Sequence, residues 1–357
     1  MSSMTCDERD AALDNLKGLL IISVVYVHLY DMLGQPTPLL HGLRLTILAV
    51  QMPLFLFLSG YFGKNVEKRR SAALSDYLIP FLVFNTLYYI CRVQQTPDLK
   101  YGLLRPLNMY WFLLTLLIIR LLMPGLRRVR GLLPLSFALA LYAGADTYIG
   151  RTLSLSRTIC FFPFYLLGFL CTEQQMKRLR RVPLPLALVC GAAGSFLTIW
   201  LTALLAPDKD KSHPFQLVNS YEVQGLTLRE GLVFRLALYV IAPMLGVLLL
   251  RLVPSGRSVL TRIGRGSMTV YLLHAFPLLA LVGTRDALCR LAYRLAPALA
   301  QMEHPGKACF GLIQMIVLAL CAFALSWVLS CRPVVRVYNH MLAAVRRMVF
   351  RQDFSLQ

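Results

Sequence analysis

The stretch LKGLLIISVVYVHLYD, residues 16–31, decides between a soluble and a membrane fold. It has the apolar density of a helix that crosses a bilayer, yet it carries Lys17, His28 and Asp31. On an α-helix, at about 100° per residue, Lys17 and His28 lie about 20° apart in azimuth and about 16 Å apart along the axis. Asp14 and Asp31 fall within about 60° of that line, so one stripe reads Asp14, Lys17, Ile21, Val24, His28, Asp31. Ionisable groups at this depth are costly and normally face a bundle interior or a wet cavity. Two plainer readings stand beside that one: Lys17 extends its ammonium to the headgroups, and His28 is a polar residue satisfied near the interface. Three such groups on one face favour the cavity.

The rest of the chain extends the pattern. It has 357 residues, 57% of them hydrophobic and only 15% charged, with a mean hydropathy of +0.61. Apolar blocks of membrane-crossing length recur near 16–33, 43–63, 73–92, 109–124, 131–149, 158–172, 184–206, 232–253, 267–283 and 309–330. The expected fold is all-α: a polytopic membrane protein, a bundle of about ten transmembrane helices, with no internal repeat. Residues 1–357 read as one domain with short tails at about 1–15 and 332–357. The first span lacks an A-x-A-like cleavage site and is followed by further spans, so it reads as a retained helix rather than a signal peptide.

A formal net charge of +20, from 37 Lys+Arg against 17 Asp+Glu, would suit nucleic acid if the basic residues formed one surface. They do not. KNVEKRR (64–70), RRVR (127–130), KRLRR (177–181), Arg251, Arg257, Arg262, Arg265 and the Arg-rich 332–351 occupy alternate loops. That is the positive-inside distribution, with both termini cytoplasmic, and no nucleic-acid partner is expected. The nine cysteines show no C-x-x-C pair or metal spacing and read as small buried hydrophobes. Cys289 and Cys309 flank one outer segment and could pair. No metal site is expected.

Other spans add polar groups. QMPLFLFLSGYF (51–62) has Pro53, which removes a backbone donor, and Ser59-Gly60, which allows another helix to approach closely. Asn85 lies in the third span, and Asn108-Met109-Tyr110-Trp111 opens the fourth, where Trp111 could equally belong to an aromatic belt. Arg157 stands at the outer start of the sixth span, and Arg235 lies inside the eighth, about a turn and a half after Glu230. An intramembrane arginine is a functional candidate, and a structural ion pair is the alternative. Tyr271 and His274 are three apart, on one helix face of the ninth span.

With these residues assembled, the chain resembles acyltransferase family 3, in particular its fucose 4-O-acetylase-like branch. The first span carries a basic residue, ten intervening residues and a histidine, Lys17-x10-His28, preceded by Asp14 in LDNLKG. MPLFLFLSGYF, LIPFLVFNTLYY, MYWFLLTLLIIRLL, LSRTICFFPFYLLG and SMTVYLLHAF resemble later spans of the family, in order. The resemblance implies transfer of an acyl group, most often acetyl, from cytoplasmic acyl-CoA to a hydroxyl of an extracytoplasmic sugar or cell-surface glycan. It further implies acetyl-CoA as a co-substrate rather than a bound cofactor, and a bacterial plasma membrane as the setting. His28 corresponds to the family's catalytic histidine and Lys17 to its basic partner. The R-x-x-R that some relatives carry after the second span is absent: KRRSAALSDY has Lys68, Arg69 and Arg70, with no arginine three positions after either arginine.

Acyl transfer to a sugar hydroxyl requires a base that works near neutral pH, and a histidine with a carboxylate neighbour supplies one. His28 is therefore expected to deprotonate the acceptor hydroxyl or briefly to carry the acyl group, with Asp31 orienting its ring. Lys17 and the cluster Lys64, Lys68, Arg69 and Arg70 are the expected donor-binding cations. Ser59, Asn85, Trp111, Arg157, Arg235, Tyr271 and His274 are candidates for holding the acceptor or the oxyanion. The rival reading is a secondary transporter or flippase with His28, Asp31 and His274 as a proton relay, although no two related halves are visible. A third is a membrane domain that presents or exports a ligand without binding CoA.

Overall fold

The computed structural model describes residues 10–33, 37–150, 152–205, 213–281 and 307–349. Among the described residues all regular structure is helical. In chain order the helices are α1 (Ala11–Leu33), α2 (Pro38–Tyr61), α3 (Val66–Ser71), α4 (Leu74–Val93), α5 (Asn108–Leu126), α6 (Leu132–Ala145), α7 (Thr152–Leu170) and α8 (Glu173–Arg180). They continue with α9 (Leu184–Leu205), α10 (His213–Gln216), α11 (Leu228–Leu252), α12 (Val259–Arg265), α13 (Ser267–Leu281), α14 (Lys307–Leu329) and α15 (Arg332–Val349). Among the described residues α1, α2, α4, α5, α7, α9, α11 and α14 are long and apolar enough to cross a membrane, and α6 and α13 are shorter apolar helices. These ten coincide with the ten apolar blocks of the sequence. The chain is a polytopic, all-α membrane protein.

Local chemistry sets the helix ends. Asp10 accepts a hydrogen bond from the Ala12 amide at the start of α1, satisfying one of the orphan donors of the first turn. Thr172 with Gln175 at α8, and Thr227 with Glu230 at α11, form reciprocal capping pairs. Pro80 has no N–H to donate, and just before it α4 opens with a π turn in which the Ile79 amide reaches back to Leu74. The 332–357 tail is helical over its described part. Tyr338 and Leu342 are buried there while Met348 and Val349 are exposed.

The chain packs as two compact units. The first comprises residues 1–47, 94–97 and 253–338. Within it α1 packs against α12, α14 and α13, burying Leu16, Leu20, Ile21, Val25, Ile263 and Val270. The α1–α12 contact brings backbone to backbone. A Cβ on Gly18 would strike the Leu260 carbonyl, and one on Gly264 would strike the Asp14 carbonyl. Asn15, fully buried, ties the same contact: its amide donates to the Pro254 and Gly256 carbonyls, each at 2.8 Å. Its oxygen accepts from Ser258 and Thr261.

The second unit comprises residues 48–93, 98–252 and 339–357. Its principal pairs are α9 with α11 and α6 with α7, and its buried aromatic residues include Phe81, Phe84, Tyr88, Tyr110, Phe161 and Tyr165. The expected close approach at Ser59-Gly60 is present: a Cβ on Gly60 would meet the Tyr165 carbonyl, and one on Gly168 the Phe57 carbonyl. The end of α15 is clasped to the π turn, Arg346 reaching the Ser75 carbonyl at 3.0 Å and the Asp76 carboxylate at 3.2 Å.

Cys160 and Cys171 are buried, as expected of small hydrophobes, whereas Cys321 is exposed on α14. Cys289 and the Cys309 side chain lie outside the described residues.

Candidate functional site

The candidate residues fall into two groups, one in each unit. In the first, α1 presents the predicted stripe. Asp14, Ile21 and Val24 are buried, Lys17 and His28 half-buried, and Asp31 exposed at the far end. Asp14 is the acidic centre of the near end. Its carboxylate accepts from Lys17 at 3.0 Å and from Arg265 of α12 at 3.1 Å. Lys17 is thus aimed along the helix and paired, with its side chain 25% exposed.

At the other end, the His28 ring lies 5.3 Å, centroid to centroid, from the ring of His274, with the planes tilted by 34°. His274 is completely buried in α13. Its Nδ1 lies 3.0 Å from the Val270 carbonyl. A carbonyl can only accept, so Nδ1 carries the proton and the neutral ring leaves Nε2 as an acceptor. That buried Nε2 has no hydrogen-bond partner among the described residues. Tyr271 lies 6.3 Å from the same ring. Two histidines from distant parts of the sequence therefore share one polar spot, which neither segment reveals alone.

The ion partner of Asp31 is Arg44 of α2, at 2.5 Å, and the Arg44 guanidinium also lies over the Tyr30 ring at 5.7 Å. Asp31 is expected from sequence beside His28, and the structure gives its carboxylate to Arg44; an arginine inside the apolar second span carries the same signal as Arg157 or Arg235.

In the second unit, Arg157 and Trp111 come together. The Arg157 guanidinium lies 4.6 Å over the Trp111 ring, its Nε donates to the Gln216 carbonyl at 3.0 Å, and Trp111 stacks on Phe161 at 5.3 Å. Arg157 lines a polar cavity of about 190 Å³ with Asn108, Ser154 and Gln216. Aromatic faces and fixed hydrogen-bonding groups in a small cleft suit a polyhydroxylated ligand. Asn85 instead acts as a clasp, accepting from the Leu107 amide at 2.8 Å and donating to the Arg105 carbonyl at 3.4 Å. Arg235 is likewise committed: it donates to the Ala140 carbonyl at 2.6 Å and lies 4.7 Å over the Tyr221 ring. Burial raises the Tyr221 phenol above its ordinary pKa, with Arg235 opposing, so the phenol remains a donor to the Leu141 carbonyl. Glu230, expected as a possible partner for Arg235, closes the α11 cap.

Lys64 lies in the turn after α2 and Lys68, Arg69 and Arg70 on α3, all four exposed. Lys64 donates to the Cys171 carbonyl at 2.5 Å and lies 4.9 Å over the Tyr61 ring. The Ser59 carbonyl accepts from Arg120 of α5 at 2.9 Å. Arg120, in TLLIIRLLM, was also legible as an arginine within an apolar block and was not singled out. A further cavity of about 550 Å³ is apolar, lined by Pro53, Leu54, Phe57, Pro243 and Leu250 with Arg178 at its edge, and includes none of the candidate residues. Among the described residues no group of His, Cys, Asp and Glu could hold a metal ion.

A family model described as an acyltransferase domain, acyltransferase family 3, matches residues 10–331, a range that includes every candidate named above. No curated protein and no solved structure matches the chain.

Proposed function

The chain belongs to acyltransferase family 3, and from that premise we propose that this membrane acyltransferase moves an acetyl group from cytoplasmic acetyl-CoA to a hydroxyl of an extracytoplasmic sugar or glycan. The observation that carries the mechanism is the His28–His274 pair. His28 is half-buried and reachable, and His274 is sealed and held in one tautomer by Val270. His28 takes the proton of the acceptor hydroxyl as its oxygen bonds to the thioester carbon. The C–S bond then breaks, and the imidazolium returns the proton to the departing CoA thiolate. His274 Nε2, an acceptor only and out of the substrate's reach, orients the His28 ring.

Lys17, paired with Asp14, lies on the face that leads to His28 and lines the donor's approach. Asp31, held by Arg44, places an ion pair one turn beyond His28 and fixes the field there. The basic group Lys64, Lys68, Arg69 and Arg70 attracts the donor's phosphates. The Arg157–Trp111 cleft is the acceptor candidate of the second unit. The bacterial plasma membrane is the proposed setting.

The test is transfer or hydrolysis of labelled acetyl-CoA by the purified full-length protein in lipid nanodiscs. The wild type is expected to release CoA and His28→Ala is not. A folded His28→Ala protein that still transfers acetyl ends the catalytic role. A wild type that never cleaves acetyl-CoA ends the acetyl-CoA reading.

A further inference from the structure

Arg120 is 4% exposed in an apolar run of α5. One arm of its guanidinium, Nη2, donates to the Ser59 carbonyl. Nε and Nη1 are buried and have no hydrogen-bond partner among the described residues, nor does any described carboxylate pair with it. Tyr165 of α7, fully buried, turns its hydroxyl toward the same guanidinium, and its ring lies 5.4 Å from the guanidinium carbon. Both groups converge on one point, since a Cβ added to Gly63 would collide with Arg120 Nη1 and with Tyr165 Oη. A buried charge with spare donors is unfavourable unless something supplies acceptors and opposite charge.

The surroundings point to the complement. The helix that follows Gly63 brings Lys68, Arg69 and Arg70, and Arg69 is within electrostatic range of Tyr165. Lys64 closes over this end, its ammonium drawn to the Cys171 carbonyl and the Tyr61 ring. Exposed cations thus lead to a buried one, and every spare group at the end can donate. An acceptor-rich anion with a tetrahedral set of oxygens satisfies that arrangement; a neutral or cationic ligand does not.

We infer that Arg120 and Tyr165 form a phosphoryl-binding site, filled either by the diphosphate of the acyl-CoA donor or by a phospholipid headgroup. Lys64 moves from Cys171 onto the bound phosphate. The donor arm of this inference rests on the proposed acetyl-CoA chemistry; the lipid arm does not.

The experiment uses the full chain in nanodiscs, with Arg120→Gln, Tyr165→Phe and the wild type matched for thermal unfolding. Acetyl-CoA is compared with S-acetylpantetheine, which has the same thioester and no diphosphate. If the donor fills the site, both variants raise KM for acetyl-CoA by about tenfold and leave S-acetylpantetheine unchanged, the signature of a lost charge-assisted contact. If a lipid fills it, KM is unchanged for both donors, and replacing a phosphate-free glycolipid with phosphatidylglycerol raises the wild-type melting temperature but not that of the variants. Equal loss with both donors, or no difference in any arm, overturns the site. Should the wild type not use acetyl-CoA at all, stabilisation by inorganic diphosphate that Arg120→Gln abolishes sustains the phosphoryl site while the acetyl-CoA reading falls.

Discussion

The rings of His28 and His274 lie 5.3 Å apart although 246 positions separate them, the first reachable and the second sealed. Such a pair cannot work symmetrically. His28 is the ring that can meet a substrate, and His274 acts through it. His274→Phe preserves the ring volume and removes the acceptor. Its kcat should fall by about 10²–10³ with little change in KM for the donor, within the usual span for a general acid–base contribution. His274→Gln should recover part of the loss. Steady-state transfer of labelled acetyl reads both.

Asp31 and Arg44 form an ion pair of unequal burial, with side chains 35% and 8% exposed. Removing the acid strands a buried guanidinium, whereas removing the base leaves a carboxylate that water can reach. Asp31→Asn should therefore destabilise the fold more than the double variant Asp31→Asn/Arg44→Gln, with a coupling of about 1 kcal/mol in a double-mutant cycle. Thermal unfolding in one detergent measures it, and simple additivity would mean the pair contributes nothing to stability.

The α1–α12 contact has no room for a methyl group. Gly18→Ala and Gly264→Ala each drive a Cβ into the partner backbone, so each should cost about 2 kcal/mol or more as the helices separate. Gly246→Ala is the matched control. Its nearest neighbour would be Leu54 at 3.7 Å, an ordinary contact, and alanine suits a helix interior better than glycine. That variant should be neutral or slightly stabilising in the same melt.

Asn15→Asp changes one atom type and separates the two halves of the clasp. The acceptor for Ser258 and Thr261 survives, but the donor to the Pro254 and Gly256 carbonyls becomes a third acceptor facing two others. A loss of about 2–4 kcal/mol is expected at neutral pH, with partial recovery in acid as the carboxyl protonates. An unfolding series between pH 4 and 8 decides it.

The membrane architecture was legible because bilayer thickness imposes a length and a composition on each helix, and both are local properties of sequence. The stripe on α1 was legible for the same reason: helical periodicity places Lys17 and His28 together without knowledge of any neighbour. Partnership was not legible. Periodicity set Asp31 one turn from His28, yet Arg44 on the next helix engages its carboxylate. Glu230 stood near Arg235 in sequence, yet the first caps α11 and the second ties Tyr221 to Ala140. Arg120 was missed for a different reason. An arginine in an apolar block marks a candidate, but its convergence with Tyr165 on Gly63 is a contact that no local pattern shows. The division into two units, one assembled from both ends of the chain, depends on contacts across more than two hundred residues.

That division has a temporal consequence. Asp14 leaves the ribosome with Lys17 close behind, but Arg265 and the α12 backbone that packs on Gly18 lie 251 residues later. At typical synthesis rates the first helix waits roughly 10–50 s for them. During that interval a half-neutralised carboxylate and one bare glycine face stand in lipid or in the insertion machinery. α1 is thus made long before it is housed, and its custody during synthesis is a task for the membrane insertase rather than for the fold.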